Sequence, residues 1–129
     1  MSKNYQFTEK SLLKLSEVHI DLQKLAINAL SLSDINFSIT EGLRTREKQL
    51  LLVEQGVSQT LNSRHLTGHA IDVMAWYQGK ITWDWHYYEL INEAFSRASV
   101  ELNIPYEWGG DWKTLKDGPH FQLPYSIYK

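Results

Sequence analysis

The sequence contains no cysteine, which removes disulfides and thiolate metal ligands together. Any metal site in this chain has to draw on His and on Asp or Glu. The redox compartment stays open, because a chain without thiols works in either. An excess of basic charge is also lacking. Thirteen Lys and Arg stand against fifteen Asp and Glu, so there is no electrostatic footprint for nucleic acid. No apolar run is long enough to cross a bilayer, and Met1 to Phe7 lack the apolar stretch of a secretory signal. The chain is therefore expected to stay where it is made unless something releases it. Repeats, low-complexity tracts and linkers are absent too. With 43% hydrophobic and 22% charged residues, the 129 residues are expected to form one domain, residues 1–129, with its own core.

What is present divides into a patterned first half and an aromatic second half. Thr8 can cap a first helix. Val18, Leu22, Leu25, Ala26 and Ala29 recur at helical spacing and predict a second, with His19 off the stripe as a solvated helix residue. Residues 35–40 alternate apolar and polar, the period of a half-buried strand. Thr45 can cap a helix running to about Gln55, which Gly56 ends. Residues 57–68 read as an ordered but irregular loop and 69–76 as a strand, with a turn at Gly79. A helix follows from Trp85 to about Leu102, with Leu90, Ala94, Arg97 and Ala98 on one side. Pro119 to Leu123 reads as a short strand. Helices and strands in separate runs predict an α+β fold with a small antiparallel sheet.

Two segments carry the chemistry. The first is Ser63-Arg64-His65-Leu66-Thr67-Gly68-His69-Ala70-Ile71-Asp72, and the second is Asp117-Gly118-Pro119-His120-Phe121-Gln122. Together they offer two imidazoles and a carboxylate, a set that suits zinc with a coordination position left open for water. On a continuous helix, His65 and Asp72 would lie about 10 Å apart along the axis. Two ligands of one ion must each come within about 2 Å of it. The segment therefore has to fold back, and Gly68 is where a turn with positive φ is easiest. On the strand that follows, Ala70 and Asp72 share a face while His69 points to the other. His69 is accordingly left out of the ligand set, and His86 reads as a helix surface residue. In the second segment, a turn at Gly118 and Pro119 can fold Asp117 back over His120. Asp before Gly is common in turns; beside a metal ligand, the same carboxylate can instead act as a general base.

Ser63-x-His65-x-x-Gly68-x-Ala70-x-Asp72 followed by Asp117-x-x-His120 resembles the zinc peptidases of bacterial cell walls. These include D-alanyl-D-alanine carboxypeptidases, vancomycin-resistance dipeptidases and phage L-alanyl-D-glutamate endopeptidases. Glu41-Gly42-Leu43-Arg44-Thr45 is similar to the family's strand-end Arg segment. Glu107-Trp108-Gly109-Gly110-Asp111-Trp112 is similar to the E-x-G-G-x-W run of the endopeptidase branch. The resemblance implies a Hedgehog/DD-peptidase-like fold, a small antiparallel sheet flanked by helices. It implies Zn2+ held by His65, Asp72 and His120, with Asp117 as general base. Arg44 would bind a substrate carboxylate or stabilise the oxyanion, and Ser63 would support the ligand loop or touch substrate. Glu107 and Asp111 could line the substrate groove, bind a second cation or simply shape a turn. Trp108 and Trp112 could flank a glycopeptide or pack in the core.

The implied function is hydrolysis of the peptidoglycan stem peptide between L-Ala and D-Glu by a monomeric lytic enzyme, with neither nucleic acid nor membrane insertion involved. A phage endolysin of this kind accumulates in the host cytoplasm and reaches the wall in the periplasm after a holin opens the membrane. Two alternatives remain: a D,D- or L,D-carboxypeptidase of wall maturation, and a non-enzymatic zinc module whose metal braces a binding surface.

Overall fold

A computed structural model describes residues 5–56, 63–113 and 116–129. The first helix, α1 (Glu9–Leu15), starts where Thr8 Oγ1 accepts the Ser11 amide at 3.2 Å. The second, α2 (Ile20–Leu32), buries Leu22, Leu25, Ala26 and Ala29 as its periodicity predicts. It begins later than the stripe suggests. Val18 is buried just before the helix, and His19 is its N-cap, with ring Nδ1 accepting the Asp21 amide at 3.0 Å. A histidine N-cap is unusual enough that spacing alone reads it as an ordinary helix position.

Strand β1 (Asn36–Glu41) turns Phe37 and Ile39 into the core and Asn36, Ser38 and Thr40 outward. Helix α3 (Arg46–Glu54) is capped by Thr45 Oγ1, which accepts the Lys48 amide, and Gly56 follows at φ 74°. Within the expected irregular stretch, residues 57–62 lie outside the described residues, and Arg64–Thr67 form a 3-10 turn rather than open loop. Strand β2 (Ala70–Tyr77) then joins β3 (Lys80–Thr82) through a two-residue hairpin. Gln78 and Gly79 both have positive φ there, the backbone that matches strand twist. The sequence pattern marks the turn but not β3, which is too short to show alternation.

Helix α4 (Trp85–Leu102) has the expected span, and of the expected side Ala94 and Ala98 are buried and Leu90 is partly buried. Tyr88, Ile91, Ala94, Phe95 and Ala98 point inward, whereas Arg97 is exposed. Its charge made Arg97 a poor core residue, and the aromatics at 88 and 95 supply the volume instead. Strands β4 (Glu107–Trp108) and β5 (His120–Gln122) complete an antiparallel sheet of order β1-β2-β5-β4, with β3 on the outer end of β2. Helices α2 and α4 pack together over the inner face, and Phe95 stacks on Phe121 at 4.1 Å between centroids.

The outer face is left for function. On β2, Asp72, Met74 and Trp76 point outward; on β5, His120 and Gln122 do. Meanwhile α1 covers the free edge of β1. The Ile39 amide donates to Ser11 Oγ at 3.0 Å, and Lys14 Nζ donates to the Thr40 carbonyl at 2.9 Å. A free strand edge invites pairing with other chains, and here side chains occupy it. Ser11 is buried, so Ser11→Ala strands the Ile39 amide without a partner. The expected cost is about 1–3 kcal/mol of unfolding free energy, read from the shift of the urea midpoint. A shift below about 0.5 kcal/mol would show that the α1 contact is incidental.

Candidate metal centre

Strand register brings the first two donors together. Asp72 of β2 stands directly opposite His120 of β5, and both side chains point outward. His65 arrives from the 3-10 turn. Ser63 Oγ accepts the His65 amide at 3.2 Å, and Gly68 closes the turn at φ 75°. A β-carbon at Gly68 would also crowd the Glu17 carbonyl at 3.3 Å. The turn is pinned on two sides: the Arg44 amide donates to the His65 carbonyl at 2.9 Å, and the His19 amide donates to the Gly68 carbonyl at 2.8 Å.

The result is a tight group. His65 Nε2 and His120 Nδ1 each lie 3.3 Å from Asp72 Oδ1, and all three donor atoms fall within 4.8 Å of one another. Ligands at about 2.0–2.1 Å from a tetrahedral ion stand about 3.3 Å apart, so the spacing suits one ion. Hydrogen bonds on the far side of each ring set the tautomers. His65 Nδ1 donates to the Gly42 carbonyl at 2.9 Å, which leaves Nε2 with its lone pair, buried and without a hydrogen-bond partner. His120 Nε2 donates to Gln122 Oε1 at 2.8 Å, and the Gln122 amide in turn donates to Glu107 at 3.0 Å. Such outer partners orient metal-binding imidazoles and raise their basicity.

Three electron-rich atoms facing one point need a cation between them. Burial pushes the Asp72 carboxyl up, but the imidazoles of His120 and His65 beside it hold it well below the usual carboxylate range. Burial lowers His120, and the Asp72 carboxylate more than offsets this, so its imidazole binds a proton more tightly than usual. A proton thus takes the cation's part when no metal is bound.

Arg44 forms the next wall. Its Nε donates to Glu41 and one terminal nitrogen to Gln49, each at 2.7 Å, and the other terminal nitrogen stays 3.8 Å from Asp72 Oδ2. Burial raises the Glu41 carboxyl, while Arg44 and Lys48 lower it further, so it remains a fixed anion. Gly42 can be only glycine here, since a β-carbon would sit 2.6 Å from the Lys14 carbonyl.

Asp117 is half-buried and close enough to the group to feel its charges. Its amide donates to the Gly109 carbonyl at 3.0 Å, and its carbonyl accepts the His120 amide at 3.1 Å. A β-carbon at Gly109 would collide with the Asp117 carbonyl, so this glycine lets the turn approach, while one at Gly110 would collide with the Trp108 ring. Burial and the neighbouring Asp72 raise the Asp117 carboxyl, opposed by His120, His65 and Arg44. Trp108 is a core residue whose indole donates to the Gly118 carbonyl at 2.7 Å. Trp112 instead lies beside the His120 ring, 5.0 Å between centroids. Asp111 is exposed, and Glu107 is the acceptor at the end of the Gln122 chain.

His69 stands outside the group, bonded to Thr67 and packed near His19 and Tyr128, and His86 is exposed. Several supporting residues escape sequence reasoning. Gln122 could have been suspected, since it shares a strand face with His120. The Gly42 carbonyl carries no signal in the sequence, because its partner His65 comes from a distant segment, and Gln49, five residues from its partner Arg44, reads as an ordinary helix position.

Two imidazoles and a carboxylate gathered on the open face of the sheet form a group that could hold one metal ion. The family is recognisable as well: residues 3–123 match the model of the phage L-alanyl-D-glutamate peptidases, and the chain belongs to that family. It is 35% identical over 118 residues to the L-alanyl-D-glutamate peptidase of Escherichia phage T5, a match covering 88% of this chain and 86% of that one. The L-alanyl-D-glutamate peptidase of Listeria phage A118 is 41% identical over 73% of this chain, though over only 32% of its own length. Among solved structures, the Serratia marcescens L-Ala D-Glu endopeptidase ChiX superposes with a TM-score of 0.92 at 50% identity, covering 98% of this chain and 95% of that one. The likeness agrees with the expected Hedgehog/DD-peptidase-like architecture.

Metal must displace the extra proton on His120. That proton stabilises the metal-free fold below the ordinary imidazole pKa, and the benefit is lost as pH rises through the raised one. The increase in Tm on adding metal should therefore grow between about pH 5.5 and about pH 8. A constant increase across that range would contradict the raised proton affinity of His120. Gln122→Leu should weaken metal affinity about 10- to 100-fold in a competition titration while leaving the fold intact.

Proposed function

We propose that this chain is a zinc-dependent peptidoglycan endopeptidase that cleaves the stem peptide between L-Ala and D-Glu. The observation that carries the reading is the buried, unpartnered His65 Nε2 beside Asp72 and His120, in a chain of the L-alanyl-D-glutamate peptidase family. His65, Asp72 and His120 would hold the ion. Structural zinc usually has four protein ligands; a group of three among the described residues favours an open, catalytic position. Bound zinc supplies Lewis acidity, polarising the scissile carbonyl and making water easier to deprotonate.

The remaining steps belong to the protein. Asp117 takes the proton of the attacking water and returns it to the leaving amine. Burial and Asp72 make its carboxyl more basic than an exposed one, which suits that exchange. Arg44 is held by Glu41 and Gln49, so its free edge is already aimed when negative charge develops on the substrate. Ser63 acts on the ligand turn through its bond to the His65 amide, positioning His65. The protein works as a single-domain monomer. It accumulates in the host cytoplasm and reaches the wall in the periplasm after holin-dependent release.

Mass spectrometry of digested Gram-negative peptidoglycan tests this reading. Stem peptides beginning at D-Glu should appear and should vanish with a chelator. Loss of terminal D-Ala alone would make the protein a carboxypeptidase, and intact peptidoglycan from zinc-loaded protein would make it a binding module. Asp117→Asn should retain zinc and lower kcat by about a hundredfold or more. Full activity in that variant would remove Asp117 from the mechanism.

A further inference from the structure

The outer face of the sheet continues past the metal centre. Along β2 the outward side chains run Asp72, Met74, Trp76; along β1 they run Glu41, Thr40, Ser38, Asn36. A β-bulge between Ile39 and Glu41 brings Glu41 opposite Asp72, while Ser38 faces Met74 and Asn36 faces Trp76. One open strip therefore leads from the metal ligands to the indole. Over it lies a cleft of about 660 Å³, with α1 as its far wall. That volume is in the range of small-molecule sites, about 300–1,000 Å³.

The lining has a definite chemical character. Trp76 Nε1 donates to Ser38 Oγ at 3.0 Å, which draws the indole across toward β1. Asn36, Ser38 and Thr40 add an amide and two hydroxyls, and Met74 adds apolar surface nearer the metal. The α1 side adds Glu9, Lys10 and Lys14, an acid and two cations, of which the Lys14 ammonium is tied to the Thr40 carbonyl. On the sheet side, an aromatic face flanked by neutral hydrogen-bonding groups suits a ligand with C–H bonds on one side and hydroxyls or amides at its rim. A pyranose with an acylamino group has that form. An extended apolar peptide does not.

We propose that this cleft binds an amino-sugar of the glycan strand, on the N-terminal side of the scissile bond, with Trp76 as its stacking platform. The inference rests on the peptidase reading above. The stem peptide hangs from the glycan by its N-terminal L-Ala, so the sugar lies one residue from the bond being cut. A groove that starts beside the metal ligands is where it would fall. Trp76 would then set specificity for glycan-attached stems over free peptides.

The test compares kcat/KM of the zinc-loaded protein on a muramyl-tripeptide and on the same tripeptide without its sugar. Wild type should prefer the sugar-bearing substrate. Trp76→Ala should lower the ratio of the two constants about tenfold or more, and Trp76→Phe should restore most of it. Ser38→Arg changes an outward side chain, fills the cleft and must lower the same ratio, so it decides the matter if Trp76→Ala does not fold. No preference in wild type, or a ratio unmoved in the folded variants, would overturn the subsite and leave the peptidase reading intact. Cleavage of neither substrate by wild type would overturn both.

Discussion

Three lone-pair atoms converge on one point at the open face of the sheet, and only a cation reconciles them. His65 Nε2, Asp72 Oδ1 and His120 Nδ1 would repel one another if neutral rings and a carboxylate met there alone. Much of the surrounding structure serves to hold them in that arrangement. The antiparallel register of β2 and β5 sets Asp72 against His120. Two backbone hydrogen bonds fasten the His65 turn to neighbouring segments. Outer hydrogen bonds to Gly42 and Gln122 turn the correct nitrogen of each ring inward. Burial strengthens every one of these electrostatic contacts, and it also makes an unfilled site costly.

The same economy explains the glycines and the unusual buried polar residues. Gly42, Gly68 and Gly109 each sit where a β-carbon would press on a backbone carbonyl of a neighbouring segment, that of Lys14, Glu17 or Asp117. Gln49 is the buried residue of α3, where an apolar side chain would ordinarily face inward, and it bonds Arg44. The helix thus contributes to the site more than to the core. The inner face, by contrast, is ordinary packing of aliphatic and aromatic side chains from α2, α4 and the sheet.

Legibility of the sequence follows the range of the interactions involved. Local features are readable: the Thr8 and Thr45 caps, the alternation at 35–40, and the turn that must break the chain at Gly68. The convergence of His65, Asp72 and His120 is readable too, because donor chemistry and spacing restrict it so strongly. What depends on partners far along the chain is not. The Gly42 carbonyl that holds His65 and the full inward face of α4 are decided by tertiary packing, whereas the His19 cap and the Gln49 bond to Arg44 are close in sequence but carry no pattern. Strand β3 is hidden for another reason, since three residues give periodicity nothing to repeat. The Gly-Gly run is visible in the sequence, but its purpose emerges only when the Asp117 turn is seen pressed against Gly109.

Zinc K-edge X-ray absorption on the zinc-loaded protein tests the central claim most directly. A site of His65, Asp72 and His120 predicts one ion per chain with two imidazoles and the remaining ligands oxygen. Removing either ring by His65→Ala or His120→Ala should leave a single-imidazole spectrum or no bound zinc. A native spectrum with one imidazole, or one unchanged in both variants, would contradict the account.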